Sequence, residues 1–99
     1  MNDAKSPPII EDSTLITRNA AIMATPVRDE MIMMSVESGR YFGLDDIGRD
    51  IWNRLEKPCR FADLVDGLAA DYAGDRAAIA EDVRKLLVDM AAHQVLRLG

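Results

Sequence analysis

The chain has very little with which to perform covalent or metal chemistry: its 99 residues contain one cysteine, Cys59, and one histidine, His93. A single cysteine excludes an internal disulfide and fits a reducing compartment. One Cys and one His do not form a metal site, and the carboxylates are scattered along helical stretches. No phosphate-cradling loop is present, since Gly39, Gly43 and Gly48 match neither a Walker nor a Rossmann fingerprint. No apolar run approaches the roughly 18 residues that span a bilayer. The first residues, MNDAKSPPIIEDS, lack the apolar segment and cleavage site of a secretory signal. Basic residues are outnumbered, 12 Lys and Arg against 17 Asp and Glu, for a formal charge of −5. That balance runs against a nucleic-acid footprint. These absences lead to the expectation of a cytoplasmic, non-catalytic protein with no cofactor, metal, membrane or nucleic-acid partner.

What is present is enough apolar material, 48% of residues, for one modest core. Residues 1–13, with Pro7 and Pro8, read as a flexible arm, and residues 14–99 as one domain. The first part of that domain is strand-like: Leu15 to Arg18 as a short leading strand, Ala21 to Val27, Met31 to Val36, and Arg40 to Leu44. Pro26 cannot donate to a ladder and suits an edge or a strand end. Gly39 supplies the positive φ of the turn that sends Arg40 to Leu44 back antiparallel.

From Asp46 the apolar period becomes helical. Asp45 is placed as an N-cap, and Ile47, Ile51, Trp52 and Leu55 form a face read as core. Phe61, Leu64, Val65, Leu68, Ala69 and Tyr72 mark a second helix, with Gly74 as its terminating glycine. Ile79, Val83, Leu86, Leu87 and Met90 mark a third, from about Arg76 to Ala92, followed by an extended tail over 94–98. The expected fold is α+β and winged helix-turn-helix-like, a three-stranded antiparallel sheet followed by three α-helices.

Two features bear on function. Met31 and Met33 alternate with Ile32 and Met34, so the two pairs face opposite sides of their strand. Filling an irregular core explains such methionines, and so does a soft surface that adapts to peptide side chains. Tyr41 and Phe42 also face opposite ways, one toward the helices and the other toward solvent or a groove. The third helix holds the position of a DNA-recognition helix, yet between Asp75 and His93 it sets Arg76, Arg84 and Lys85 against Asp75, Glu81, Asp82 and Asp89. It lacks the basic stripe that reads DNA. A winged-helix DNA-binding regulator is therefore the alternative reading, and a purely structural adaptor a third.

The order and spacing of Ser38-Gly39-Arg40-Tyr41-Phe42-Gly43-Leu44-Asp45, the Ile51-Trp52 pair, Leu64 to Tyr72, and Asp82-Val83 with Leu87, Met90 and Val95 resemble a known family. These are the peptide-recognition proteins typified by the PQQ-biosynthesis protein D, the PqqD-like RiPP recognition elements. The resemblance covers residues 14–98. With Glu56-Lys57-Pro58 it looks most like the stand-alone leader-binding proteins of lasso peptide biosynthesis. It implies a domain that binds the leader of a ribosomally made precursor by strand addition and delivers it to a processing enzyme. That enzyme is a leader-cleaving cysteine protease in lasso pathways and a radical-SAM enzyme in the PQQ type. Carried over, the strand is Arg40, Tyr41, Phe42, Gly43 and Leu44, and the groove wall draws on Arg76, Ile79, Asp82, Val83, Leu86 and Leu87. The methionine-rich strand departs from the Leu/Val-rich second strand usual there. An unfilled strand edge is also free to pair with a second copy, giving a homodimer.

Overall fold

Alternation along Glu30–Ser35 organises the sheet that carries the site: Met31, Met33 and Ser35 are buried, while Ile32 and Met34 are only half-covered. The computed structural model describes residues 9–99. In chain order its elements are strands β1 (Leu15–Arg18), β2 (Ile22–Val27), β3 (Glu30–Ser35) and β4 (Tyr41–Leu44), helix α1 (Asp46–Arg54), strand β5 (Cys59–Arg60), helices α2 (Phe61–Tyr72) and α3 (Arg76–Ala92), and strand β6 (Leu96–Leu98).

β2, β3 and β4 form an antiparallel meander in that order. The register sets Ala24, Met33 and Phe42 in one row on the inner face, and Met23, Met34 and Tyr41 in one row on the outer face. Met33 is fully buried and Met23 is 56% exposed, so the methionines serve both the core and the outer surface. The turn after β3 places Gly39 at φ 71, and its N–H donates to the Ser35 carbonyl at 2.8 Å. Only glycine adopts that backbone at no steric cost.

The leading strand does not join this sheet. β1 is the centre of a second antiparallel sheet, ordered β5-β1-β6. β6 is the extended tail expected from the sequence; the two-residue β5, beside Pro58, carries too short a pattern to announce itself. This sheet ties β1 to the last residues of the sequence: Leu15 donates to the Gly99 carbonyl and Gly99 to that of Leu15. Of the segment expected as an arm, residues 1–8 lie outside the described residues. Ile10 is buried in the core, and Arg84 donates to its carbonyl at 3.2 Å.

The helices close over the inner face of the meander. Asp45 caps α1, its carboxylate accepting from the Gly48 N–H at 2.9 Å. Ile51, Trp52, Leu55, Phe61, Leu64, Val65, Leu68, Val83, Leu87 and Met90 complete the core with Ile16 and Met33. Gly74 does not hold the left-handed position that ends α2. Ala73 takes it, at φ 51, and donates to the Ala69 carbonyl. The left-handed residue that closes this helix therefore falls one position before the glycine.

Candidate functional site

Hydrogen-bond parity decides what the meander edges offer. Ser35 donates its N–H to the Arg40 carbonyl at 2.9 Å. In an antiparallel ladder, bonded pairs recur at every second residue. With Met33 opposite Phe42 and Met31 opposite Leu44, those two pairs are the bonded ones. Tyr41 and Gly43 therefore turn their N–H and C=O groups away from β3, toward open space. Among the described residues no other backbone hydrogen bond engages them.

The opposite edge is largely spent. Val36 donates to the Ala21 carbonyl, so the even-numbered residues of β3 serve β2. In that register Ile22, Ala24 and Pro26 face outward from β2. Ile22 gives its N–H to the Asn19 carbonyl, and Pro26 has none to give. Of the meander's two edges, only β4 presents two consecutive outward donor–acceptor pairs.

The C-terminal end of α3 reaches the start of β4, and its N-terminal half faces Ile47, just past the end of that strand. At the start of β4, the Phe42 ring lies 5.6 Å from the His93 ring, with Ser38, Arg40, Ala92 and Gln94 around the same hollow. Toward the far end, an apolar cavity of about 220 Å³ is lined by Ile47, Leu68, Tyr72, Ile79, Asp82, Val83 and Leu86. Ile47 joins it to an open acidic corner that holds Asp29, Glu30, Gly43, Leu44, Asp45 and Asp46. An extended strand against β4 would have its inward side chains beside this apolar wall.

The side chains expected at the site divide accordingly. Ile79, Asp82, Val83 and Leu86 meet around the cavity. Phe42 and Leu44 are half-buried on the inner face, and Tyr41 projects outward at 70% exposure. Leu87 is fully buried in the core and does not line the cavity. Arg76 is also outside the lining: its Nε donates to Asp66 Oδ1 at 2.8 Å, and that bond holds its proton more firmly than usual.

Sequence reasoning missed Ile47, Leu68 and Tyr72. Ile47 is half-buried rather than core, because α1 starts directly at the sheet edge and turns its first apolar residue into the groove. Tyr72 is fixed by its hydroxyl, which donates to Asp50 Oδ2 at 2.7 Å. Asp50 in turn accepts from Arg54 Nε at 2.9 Å, and Arg54 also pairs with Asp71. This network ties α1 to the end of α2 and holds one wall of the cavity.

Burial pushes the Cys59 thiol up, with nearby Asp63 adding to the effect, so it is a poor nucleophile at neutral pH. No group of three or more His, Cys, Asp or Glu able to hold a metal occurs among the described residues. No described helix is long and apolar enough to cross a membrane.

Residues 30–96 match the family described as coenzyme PQQ synthesis protein D. A PqqA binding protein from Rhodopseudomonas palustris (strain ATCC BAA-98 / CGA009) is 31% identical over 77 residues, covering 78% of this chain and 74% of that protein. The solved complex of TbiB1 with the TbiA(beta) leader peptide superposes with a TM-score of 0.75 at 32% identity, covering 82% of this chain and 94% of TbiB1. The family match over residues 30–96, with a relative 31% identical over 78% of the chain, places this α+β protein in the PqqD family.

Proposed function

We propose that this protein binds the leader segment of a ribosomally synthesised precursor peptide as a fourth strand on β4. It then delivers the precursor to a processing enzyme, by preference a leader-cleaving cysteine protease of the lasso peptide type. The observation that carries this reading is the pair of outward-facing backbone groups on Tyr41 and Gly43, set beside an apolar wall from α1, α2 and α3. Strand addition supplies affinity through the main chain, and a cavity beside the strand supplies selectivity. Two relatives support it: one is a PqqA binding protein, and the other is solved with a leader peptide bound.

In this mechanism the leader's backbone pairs with Tyr41 and Gly43, and one apolar side chain enters the cavity between Ile47, Ile79, Val83 and Leu86. Asp82 at its rim attracts a basic leader residue, an exposed contact worth about 0.2–1 kcal/mol. The domain performs no bond chemistry. It raises the effective concentration of the precursor at the enzyme, in the cytoplasm where both are made.

The test is a titration of the purified protein into a fluorescently labelled leader from the precursor gene adjacent to this one. Saturable binding with roughly micromolar or better affinity and a shallow salt dependence is expected. Absence of leader binding by the folded protein overturns the reading. Salt-sensitive binding of duplex DNA in its place would indicate the winged-helix regulator.

A further inference from the structure

The open edge is complementary to itself. We propose that, without a leader, two copies of this protein pair through their β4 strands into a transient two-fold dimer, so that self-association and leader capture exclude each other. The dimer rests only on the edge geometry; its regulatory consequence rests on the leader-binding reading.

The register follows from parity. Two-fold pairing is isologous, so each residue meets the same surface it belongs to on the other copy. Because Tyr41 and Gly43 face outward, the bonded pairs are Tyr41 of one copy with Gly43 of the other, and the reverse. Each such pair exchanges both hydrogen bonds, and Phe42 then faces Phe42 across the axis. Tyr41, the most exposed aromatic ring, thus lies opposite a residue with no side chain. A cross-strand aromatic covers the gap that an edge glycine leaves.

Charge fits the same register. Arg40 is exposed and forms no ion pair among the described residues. In the pairing it falls opposite Leu44 of the second copy, the last residue of β4, directly before Asp45 and Asp46 at the start of α1. Those carboxylates lie at the acidic corner with Asp29 and Glu30, and Arg49 answers only part of their charge, reaching Asp46 at 3.5 Å. Two-fold symmetry makes the Arg40 to Asp45–Asp46 contact twice. Parallel pairing would oppose like ends instead. The β2 edge, lacking a donor at Pro26, offers no equivalent.

Four-residue strands make a small interface, so the dimer is weak and the edge stays available. Its dissociation constant is expected at roughly tens to hundreds of micromolar, typical of transient contacts. Filling the edge in this way also blunts the aggregation hazard of an unpaired strand.

Sedimentation velocity across a concentration series tests this, read together with amide hydrogen exchange at low and high protein concentration. Wild type should shift from monomer to dimer, with the Tyr41 and Gly43 amides slowing as concentration rises and the Phe42 amide unchanged. Arg40→Asp, an exposed substitution whose folding is checked by circular dichroism, should weaken self-association about tenfold. Mixing it with Asp46→Arg should restore heterodimer. A wild type that stays monomeric throughout, or a dimer whose formation leaves the Tyr41 and Gly43 amides unprotected, overturns the proposal. Both readouts use protein alone, so a failed leader titration leaves them independent.

Discussion

The Ser35 N–H donates to the Arg40 carbonyl at 2.9 Å, and this bond sets the direction of every backbone group on β4. It puts the Phe42 and Leu44 amides inside the meander and leaves those of Tyr41 and Gly43 outside it. In dilute protein without a leader, amide hydrogen exchange should therefore alternate along the strand. Phe42 should be protected, and Tyr41 and Gly43 should exchange at rates close to those of an unstructured chain. Uniform protection over 41–44 would mean that the edge is already occupied.

Groove and core separate on adjacent residues of α3. Leu86 lines the cavity and Leu87 is fully buried. Leu86→Ser should cost about 1 kcal/mol of stability and weaken leader binding about tenfold. Leu87→Ala should cost about 2–5 kcal/mol in urea unfolding, and the fraction that stays folded should bind the leader normally. Equal effects on affinity from both would place the binding wall elsewhere.

The bond from Tyr72 to Asp50 carries a pH dependence. Chiefly through this hydrogen bond, with desolvation and the Asp50 charge adding to it, the Tyr72 hydroxyl keeps its proton above the usual tyrosine range, and Arg54 partly opposes the shift. A group whose pKa is raised on folding stabilises the fold below its unfolded value, near 10 for tyrosine, and loses that contribution as pH rises through the folded value. Phenolate absorbance should show Tyr72 titrating late in wild type and earlier in Asp50→Asn. An unchanged titration would exclude the bond.

Ala73 is held at φ 51, where a side chain is strained. Ala73→Gly should stabilise the protein by about 0.5–1 kcal/mol, the relieved strain outweighing the added freedom of the unfolded chain. That corresponds to a rise in Tm of about 2–8 °C for a domain of this size. A fall in Tm would place the left-handed turn at Gly74 after all.

Much of this fold was legible in the sequence because periodicity carries it. The 3, 4, 7 spacing from Phe61 located α2, the alternation from Met31 located β3, and Asp45 announced its own cap. Ser38-Gly39 marked the turn, since only a glycine sits easily at φ 71. The second sheet was not legible as a sheet: β1 pairs with β5 more than forty residues later and with β6 at the far end, and no local pattern encodes such long-range pairing. The groove was half legible. Periodicity finds Ile47, Leu86 and Leu87 equally apolar, and only the packing angle of the helices against β4 separates those that line the cavity from the one that fills the core. Nor does sequence fix ladder parity, which depends on a single bond across the turn.

The most direct test of strand addition compares Gly43→Pro with Gly43→Ala in the labelled-leader titration. Alanine keeps the outward N–H, and its methyl would meet Ile32 Cδ1 at 3.8 Å, an ordinary contact. Proline removes that N–H from an edge position that tolerates it. The account predicts near wild-type affinity for Gly43→Ala and at least about a tenfold loss for folded Gly43→Pro. Equal leader affinity in the two folded variants would contradict it.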